Sequence, residues 1–278
     1  STVAAAGLGL AGCSGNKEPE ATGSDAGSAK ASSKKETVEL QVFAANSLEK
    51  ALPEVQKLYT EQTGTTFADT QFKASGDLVE QMRAGATVDV LITASKGTMD
   101  DAETVELVDA DTREDMFVND LVIIRAEGSD TKVEAIADVA NLDGKIAIGD
   151  AKTVPAGKYA NQALASVGLY TGTEGDDGEY APEIADKVAL ADKVGTAAAY
   201  VSTGDCVAGF VYSSDIFRYD GIEEAFVCPE DSHKPIVYPG AVAESSEHAD
   251  EAKAFIDFCL SNKKAQKIWA KYGFELSA

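Results

Sequence analysis

Four places in the chain hand a strand-like run over to a helix-like run through small or uncharged residues. In "VFAANSLEKAL" the handover passes through Asn46 and Ser47, and in "FKASGDLVEQM" it passes through Ser75. "TVPAGKYA" offers Pro155, Ala156 and Gly157, and "DKVGTAA" offers Val194 and Gly195. A helix start exposes up to four unpaired N–H groups and about half a positive charge. Several starts aimed at one point therefore bind an anion without Arg or Lys, and small residues let the backbone come close. A serine hydroxyl adds a further donor, which suits a fully deprotonated oxyanion that only accepts hydrogen bonds. Each motif alone also fits ordinary punctuation, Ser as an N-cap and Pro as a first helical residue.

Other chemistries find little to work with. His233 and His248 are the only histidines, both in polar stretches that read as surface loops. No G-x-S-x-G elbow surrounds a serine, and a Ser–His hydrolase needs its base within hydrogen-bond reach, so no enzyme is expected. No CxxC or His-Cys cluster suggests zinc, and Tyr212 alone does not make a ferric site. The formal net charge is −23 over 278 residues, and residues 1–37 are balanced, so all of it falls on 38–278. That surface repels nucleic acid and anionic head groups, and both are excluded as partners. It does not exclude a small anion, because exposed charges are screened beyond about 8 Å while aligned N–H dipoles keep a cleft locally positive.

The elements that must hold these handovers alternate strand and helix from Val38 onward, which argues an α/β fold. Expected strands are "VELQVFA", "TFADTQFKA", "VDVLITAS", "FVNDLVIIRA" (117–126), "KIAIGDA", "CVAGFVYSS" and "KPIVYPGAVAES". Expected helices follow Ser47 and Ser75, then "AGKYANQALASVG", "GTAAAYVSTG", "ADEAKAFIDFCLS" and "KKAQKIWAKYGF". Pro53 should kink or restart the first helix, and Gly64 should cap its end in the left-handed conformation. Crossovers near 118–126 and 225–235 would divide the chain into a discontinuous unit, 38–121 with 229–278, and an inserted one, 122–228. Such a layout is two-lobed and hinged, with lobes that close around a ligand.

Residues 1–12 look like the apolar remnant of a signal sequence, and "LAGC" resembles a bacterial lipoprotein box with Cys13 as the lipidated residue. Residues 13–37, polar and poor in large apolar side chains, read as a flexible tether. The folded part is expected outside the cell membrane and held to it only through Cys13. Cys259 falls on an apolar helix stripe with Ala252, Phe255, Ile256 and Leu260, and Cys206 and Cys228 are open to pairing in an oxidising compartment.

Taken together, "VFAANSLEKAL", "FKASGDLVEQMRAGATVDVLITAS", "AIGDAKTVPAGKYANQAL", "GFVYSSD", "CPEDSHKPIVYPGAV" and "AQKIWAKYGF" resemble the molybdate-binding receptors of ABC importers, over residues 38–278. The resemblance implies a type II periplasmic binding protein fold, each lobe a mixed sheet flanked by helices, with two crossover segments as the hinge. It implies a molybdate or tungstate ligand, no cofactor, no direct protein ligand to the metal, a membrane permease as partner, and a monomer. Its binding residues would be Ser47 and Ser75 from one lobe, backbone donors at Ala156 and Val194 from the other, and the phenol of Tyr212. Ala151 and Lys158 depart from the family's usual Pro and Arg without removing a donor. The alternative is another tetrahedral oxyanion such as sulfate. A phosphate receptor would want a carboxylate acceptor; Asp77 and Asp150 stay open for that role but are expected to cap helices or face water.

Overall fold

The computed structural model describes residues 37–277. The signal-sequence remnant, Cys13 and all of the tether but its last residue lie outside the described residues. The chain begins with β1 (Glu39–Leu40) and β2 (Val42–Ala45), followed by α1 (Ala51–Thr63), β3 (Thr66–Phe67) and β4 (Gln71–Lys73). Next come α2 (Ser75–Arg83), β5 (Val90–Ile92), α3 (Lys96–Thr104), β6 (Glu114–Asn119) and β7 (Leu121–Ala126). The middle holds β8 (Ile146–Gly149), α4 (Pro155–Ser166), α5 (Pro182–Ala185), β9 (Val188–Ala191), α6 (Val194–Ser202), β10 (Ala208–Tyr212) and β11 (Ile222–Val227). The chain ends with β12 (Ile236–Val242), α7 (Ala249–Ser261), α8 (Lys263–Lys271) and β13 (Glu275–Leu276).

Two mixed sheets result, confirming the α/β class. One has six strands in the order β13-β6-β12-β5-β2-β4, and the other five in the order β11-β7-β10-β8-β9. Each keeps a parallel part, β5-β2-β4 in one and β10-β8-β9 in the other. Parallel strands need cover on both faces, which explains why β2, β5 and β8 are buried at every position. α2 supplies part of that cover through Leu78, Val79 and Met82, which pack with Phe43 of β2 and Leu91 of β5, while α4 and α6 pack on β8. Among the described residues no helix is long and apolar enough to cross a membrane.

Three expected strands divide. The run 117–126 is not one strand but β6 and β7, which belong to different sheets. The change of sheet falls at Asp120, whose N–H is held by the side-chain Oδ1 of Asn119 at 3.0 Å. "VELQVFA" breaks at Gln41, whose N–H turns aside to Asp89 Oδ2 at 2.7 Å, so β1 pairs with β3 while β2 pairs with β4 and β5. "TFADTQFKA" breaks correspondingly into β3 and β4.

Pro53 does not kink a helix. A 3-10 turn at Asn46–Leu48 comes first, and α1 starts afresh at Ala51, with Pro53 in a first turn where a missing N–H costs little. Gly64 ends α1 with φ 83°, the left-handed cap the sequence suggested. Cys206 and Cys228 are buried free thiols. Cys206 precedes β10 and Cys228 follows β11, strands separated by β7, and the Cys228 N–H reaches the Leu121 carbonyl at 2.9 Å at the far end of β7 from Cys206. Burial lifts the Cys228 thiol to about 12.

Candidate functional site

The four handovers converge. A small cavity of about 30 Å³ is lined by Ser47 and Ser75 from the six-stranded side and by Val154, Pro155, Val194 and Tyr212 from the five-stranded side. That volume suits one small ion or two to three waters. Four of the five expected binding residues line it, namely Ser47, Ser75, Val194 and Tyr212. Ala156 does not, but its neighbours Val154 and Pro155 do.

Every one of these residues sits at the carboxyl end of a strand, where open α/β sheets present their ligands. Ser47 lies in the 3-10 turn after β2 and Ser75 is the first residue of α2 after β4; both are buried. Neither serine caps its own helix. The 3-10 turn, α2, α4 and α6 all lack a side-chain cap, whereas α3 and α8 are capped by Ser95 and Asn262. No side chain therefore occupies the first backbone donors at three helix starts, although the Gly157 and Thr196 N–H groups turn back to the Val154 and Lys193 carbonyls at 2.9 and 3.1 Å. In α4, Pro155 has no N–H, so Ala156 provides the first one. That start is held close to β8 by Gly157, where a Cβ would stand 2.0 Å from the Gly149 carbonyl oxygen.

The hydroxyls are arranged as donors too. Ser75 Oγ accepts from the Ala94 N–H at 2.9 Å, so its own proton is free. Ser47 Oγ lies 2.7 Å from Tyr238 Oη, and Asn119 Nδ2 donates to the same phenol at 3.2 Å. Tyr212, the last residue of β10, is 2% exposed, and its Oη is the one buried side-chain polar atom without a partner among the described residues. Burial, followed by the nearby Tyr238, holds its phenol well above the ordinary value, so it stays protonated and able to donate. Among the described residues no carboxylate lines the cavity. Asp77 is exposed, and Asp150 accepts the Lys152 N–H at 3.0 Å. The remaining lining residues include Lys73 and Lys193, both exposed, whose positive charge the sequence had not singled out. Neither histidine lines the cavity, and among the described residues no group of three or more His, Cys, Asp or Glu is placed to hold a metal.

Behind Tyr212 a buried ion pair fixes the turn. Asp215 Oδ2 accepts the Tyr212 N–H at 2.9 Å, and its Oδ1 meets Arg218 Nη1 at 2.6 Å. Arg218 also reaches Glu49, two residues past Ser47, at 3.3 Å, so the two sides of the cavity are tied by charge as well. Burial raises the Asp215 carboxyl although Arg218 pulls it down. Tyr238, Asn119, Asp215 and Arg218 went unnoticed in the sequence. Only Asn119 left a trace there, as a polar residue inside an apolar run.

Known proteins resemble the chain over most of its length. The molybdate-binding protein ModA of Escherichia coli is 33% identical over 242 residues, covering 85% of this chain and 89% of that one. A putative ABC transporter substrate-binding lipoprotein of Bacillus subtilis, YvgL, is 30% identical, covering 95% of this chain and 92% of its own length. Among solved structures, the substrate-binding domain of a putative molybdenum ABC transporter from Clostridium difficile superposes with a TM-score of 0.68 at 33% identity, covering 87% of this chain and all of that one. The family model described as bacterial extracellular solute-binding protein matches residues 40–275, and the chain belongs to that family.

Proposed function

We propose that this protein captures molybdate or tungstate between its two sheets and delivers it to the membrane permease of an ABC importer. The observation that carries the reading is the orphaned phenol of Tyr212, a residue that lines the same cavity as Ser47 and Ser75. An unpaired buried hydroxyl costs about 1–3 kcal/mol, and an oxyanion that accepts from it removes that penalty. A fully ionised tetrahedral dianion can accept from Ser47, Ser75, Ala156, Val194 and Tyr212 at once, and no carboxylate opposes it. The names of the relatives in Escherichia coli and Clostridium difficile support the ligand, and those in Bacillus subtilis and Clostridium difficile support the transporter.

In this reading residues 38–121 and 229–278 form one lobe, 122–228 form the other, and closure brings their donors together. The protein works as a monomeric receptor and not as an enzyme, since no nucleophile–base pair faces the cavity. It is held at the outer face of the cell membrane by a lipid on Cys13. Sulfate offers the same acceptors in a smaller shell, so it is the competitor to test.

The test is thermal unfolding of the chain with molybdate, tungstate, sulfate and phosphate in separate samples. A ligand at a thousand times its dissociation constant stabilises the fold by about 4 kcal/mol, which for this size raises the midpoint by on the order of 10 °C. Shifts with molybdate and tungstate alone support the proposal. Equal shifts with sulfate make it a general dianion receptor, and no shift with any of the four refutes the oxyanion site.

A further inference from the structure

We infer that Asn119 and Tyr238 are positioning residues that fix the direction of the Ser47 hydroxyl proton, and thereby select fully ionised anions over protonated ones. The inference rests on the oxyanion reading of the cavity. Its starting point is the Asn119 amide, whose orientation is set by a backbone donor. The Asp120 N–H can only donate, so the atom it meets at 3.0 Å is Oδ1. The Ser213 hydroxyl donates to the same oxygen at 2.7 Å. Nδ2 then faces the other way and donates to Ser214 Oγ at 2.8 Å and to Tyr238 Oη at 3.2 Å.

Tyr238 is fully buried, and its phenol oxygen meets Asn119 Nδ2 and Ser47 Oγ. An amide NH₂ has no lone pair to offer, so the phenol proton has one place to go, the Ser47 oxygen at 2.7 Å. Ser47 is thus the acceptor in that bond, and its own proton is turned away from Tyr238 and left for the cavity. Ser75 is set in the same sense by the Ala94 N–H, and Tyr212 has no internal partner. All three hydroxyls present protons. A monoprotonated anion such as hydrogenphosphate needs an acceptor for its own proton, and these three hydroxyls offer it none. The chain of bonds also starts beside Tyr212, since Ser213 and Ser214 follow it directly after β10. Ser213 and Ser214, from the other side of the cavity, thus join the network that sets the Ser47 proton.

Two variants of the full chain reverse or release this polarity. In Tyr238→Phe the Ser47 hydroxyl loses its imposed direction and can accept as well as donate. In Asn119→Asp the new carboxylate takes the Tyr238 proton, so that Ser47 donates to Tyr238 and turns a lone pair into the cavity. Titration calorimetry at about pH 8, with molybdate and with hydrogenphosphate by competition, reads the ratio of the two affinities. Tyr238→Phe should weaken molybdate about tenfold and leave hydrogenphosphate unchanged or tighter. Asn119→Asp should move the ratio further the same way. Equal weakening of both anions in both variants overturns the inference, since a merely structural role moves them together. Should Asn119→Asp fail to fold, Tyr238→Phe decides alone. A wild-type chain that binds no molybdate removes the oxyanion reading itself, whereas binding with an unmoved ratio removes only the relay.

Discussion

Replacing Tyr212 by Phe separates a ligand donor from a structural one more sharply than any other change. The phenol oxygen is buried and has no partner among the described residues, so its removal breaks no hydrogen bond there. Without ligand the variant should be at least as stable as the parent, because a buried hydroxyl lacking an acceptor costs about 1–3 kcal/mol and Phe carries none. The ring itself is retained, so its contacts with Tyr159 and Tyr238, 6.4 and 5.9 Å between centroids, stay in place. With ligand the balance inverts. A hydrogen bond to a charged acceptor contributes about 1.5–3 kcal/mol, and its loss weakens molybdate binding roughly 10- to 150-fold. Titration calorimetry gives the second quantity and thermal unfolding without ligand gives the first. The reasoning fails if affinity stays within threefold of the parent. It also fails if the unliganded variant loses more than about 1 kcal/mol, which would mean the hydroxyl has an internal partner.

Ser75→Ala differs from it in an instructive way. Its oxygen accepts the Ala94 N–H, so both stability and affinity should fall, each by about 1–3 kcal/mol; a loss of affinity under half a kcal/mol in calorimetry would remove Ser75 from the site. Alkaline titration bears on the buried phenols. Tyr159, Tyr212 and Tyr238 are all raised, chiefly by burial, and Tyr180 is pushed up to about 12. The unfolded chain releases those protons from about pH 10 while the folded chain retains them, so stability should decline as pH rises above that value. Molybdate affinity at about pH 10 should match that at neutrality, because the Tyr212 donor remains protonated; a drop in affinity there, with the fold intact by circular dichroism, would contradict the burial argument.

The order of strands and helices was legible because period and punctuation change together at each handover, as at Ser47, Ser75 and Pro155. The division of 117–126 was not, since Leu121–Ile124 continues the apolar run begun at Phe117 and only Asn119 and Asp120 mark the exchange of sheets. α3 was missed because it buries only Met99 and Ala102 and shows no continuous stripe. β9, "VALA", is short and lies between helices, where alternation has no length in which to appear. The donor residues were visible as types in loops. Their hydrogen-bond directions were not, because those depend on Asn119 and Tyr238, which meet across more than a hundred residues of chain. The same holds for the cap question. A serine at a helix start looks alike whether its oxygen serves its own helix or, like Ser75, the N–H of a neighbouring strand end.

The strand order has a consequence for how the chain is made. All five strands of the smaller sheet come from residues 121–227, and its two ends meet where the Cys228 N–H bonds the Leu121 carbonyl. A chain synthesised and exported from its amino end therefore has that sheet complete while the larger one is still in two pieces. β12 alone joins β6 to β5, and it is delivered only afterwards. Until then β2, β4 and β5 present an open edge. The half of the molecule that begins the sequence is the half that must wait to fold, and its exposure to misfolding and proteolysis lasts until Ile236–Val242 arrives.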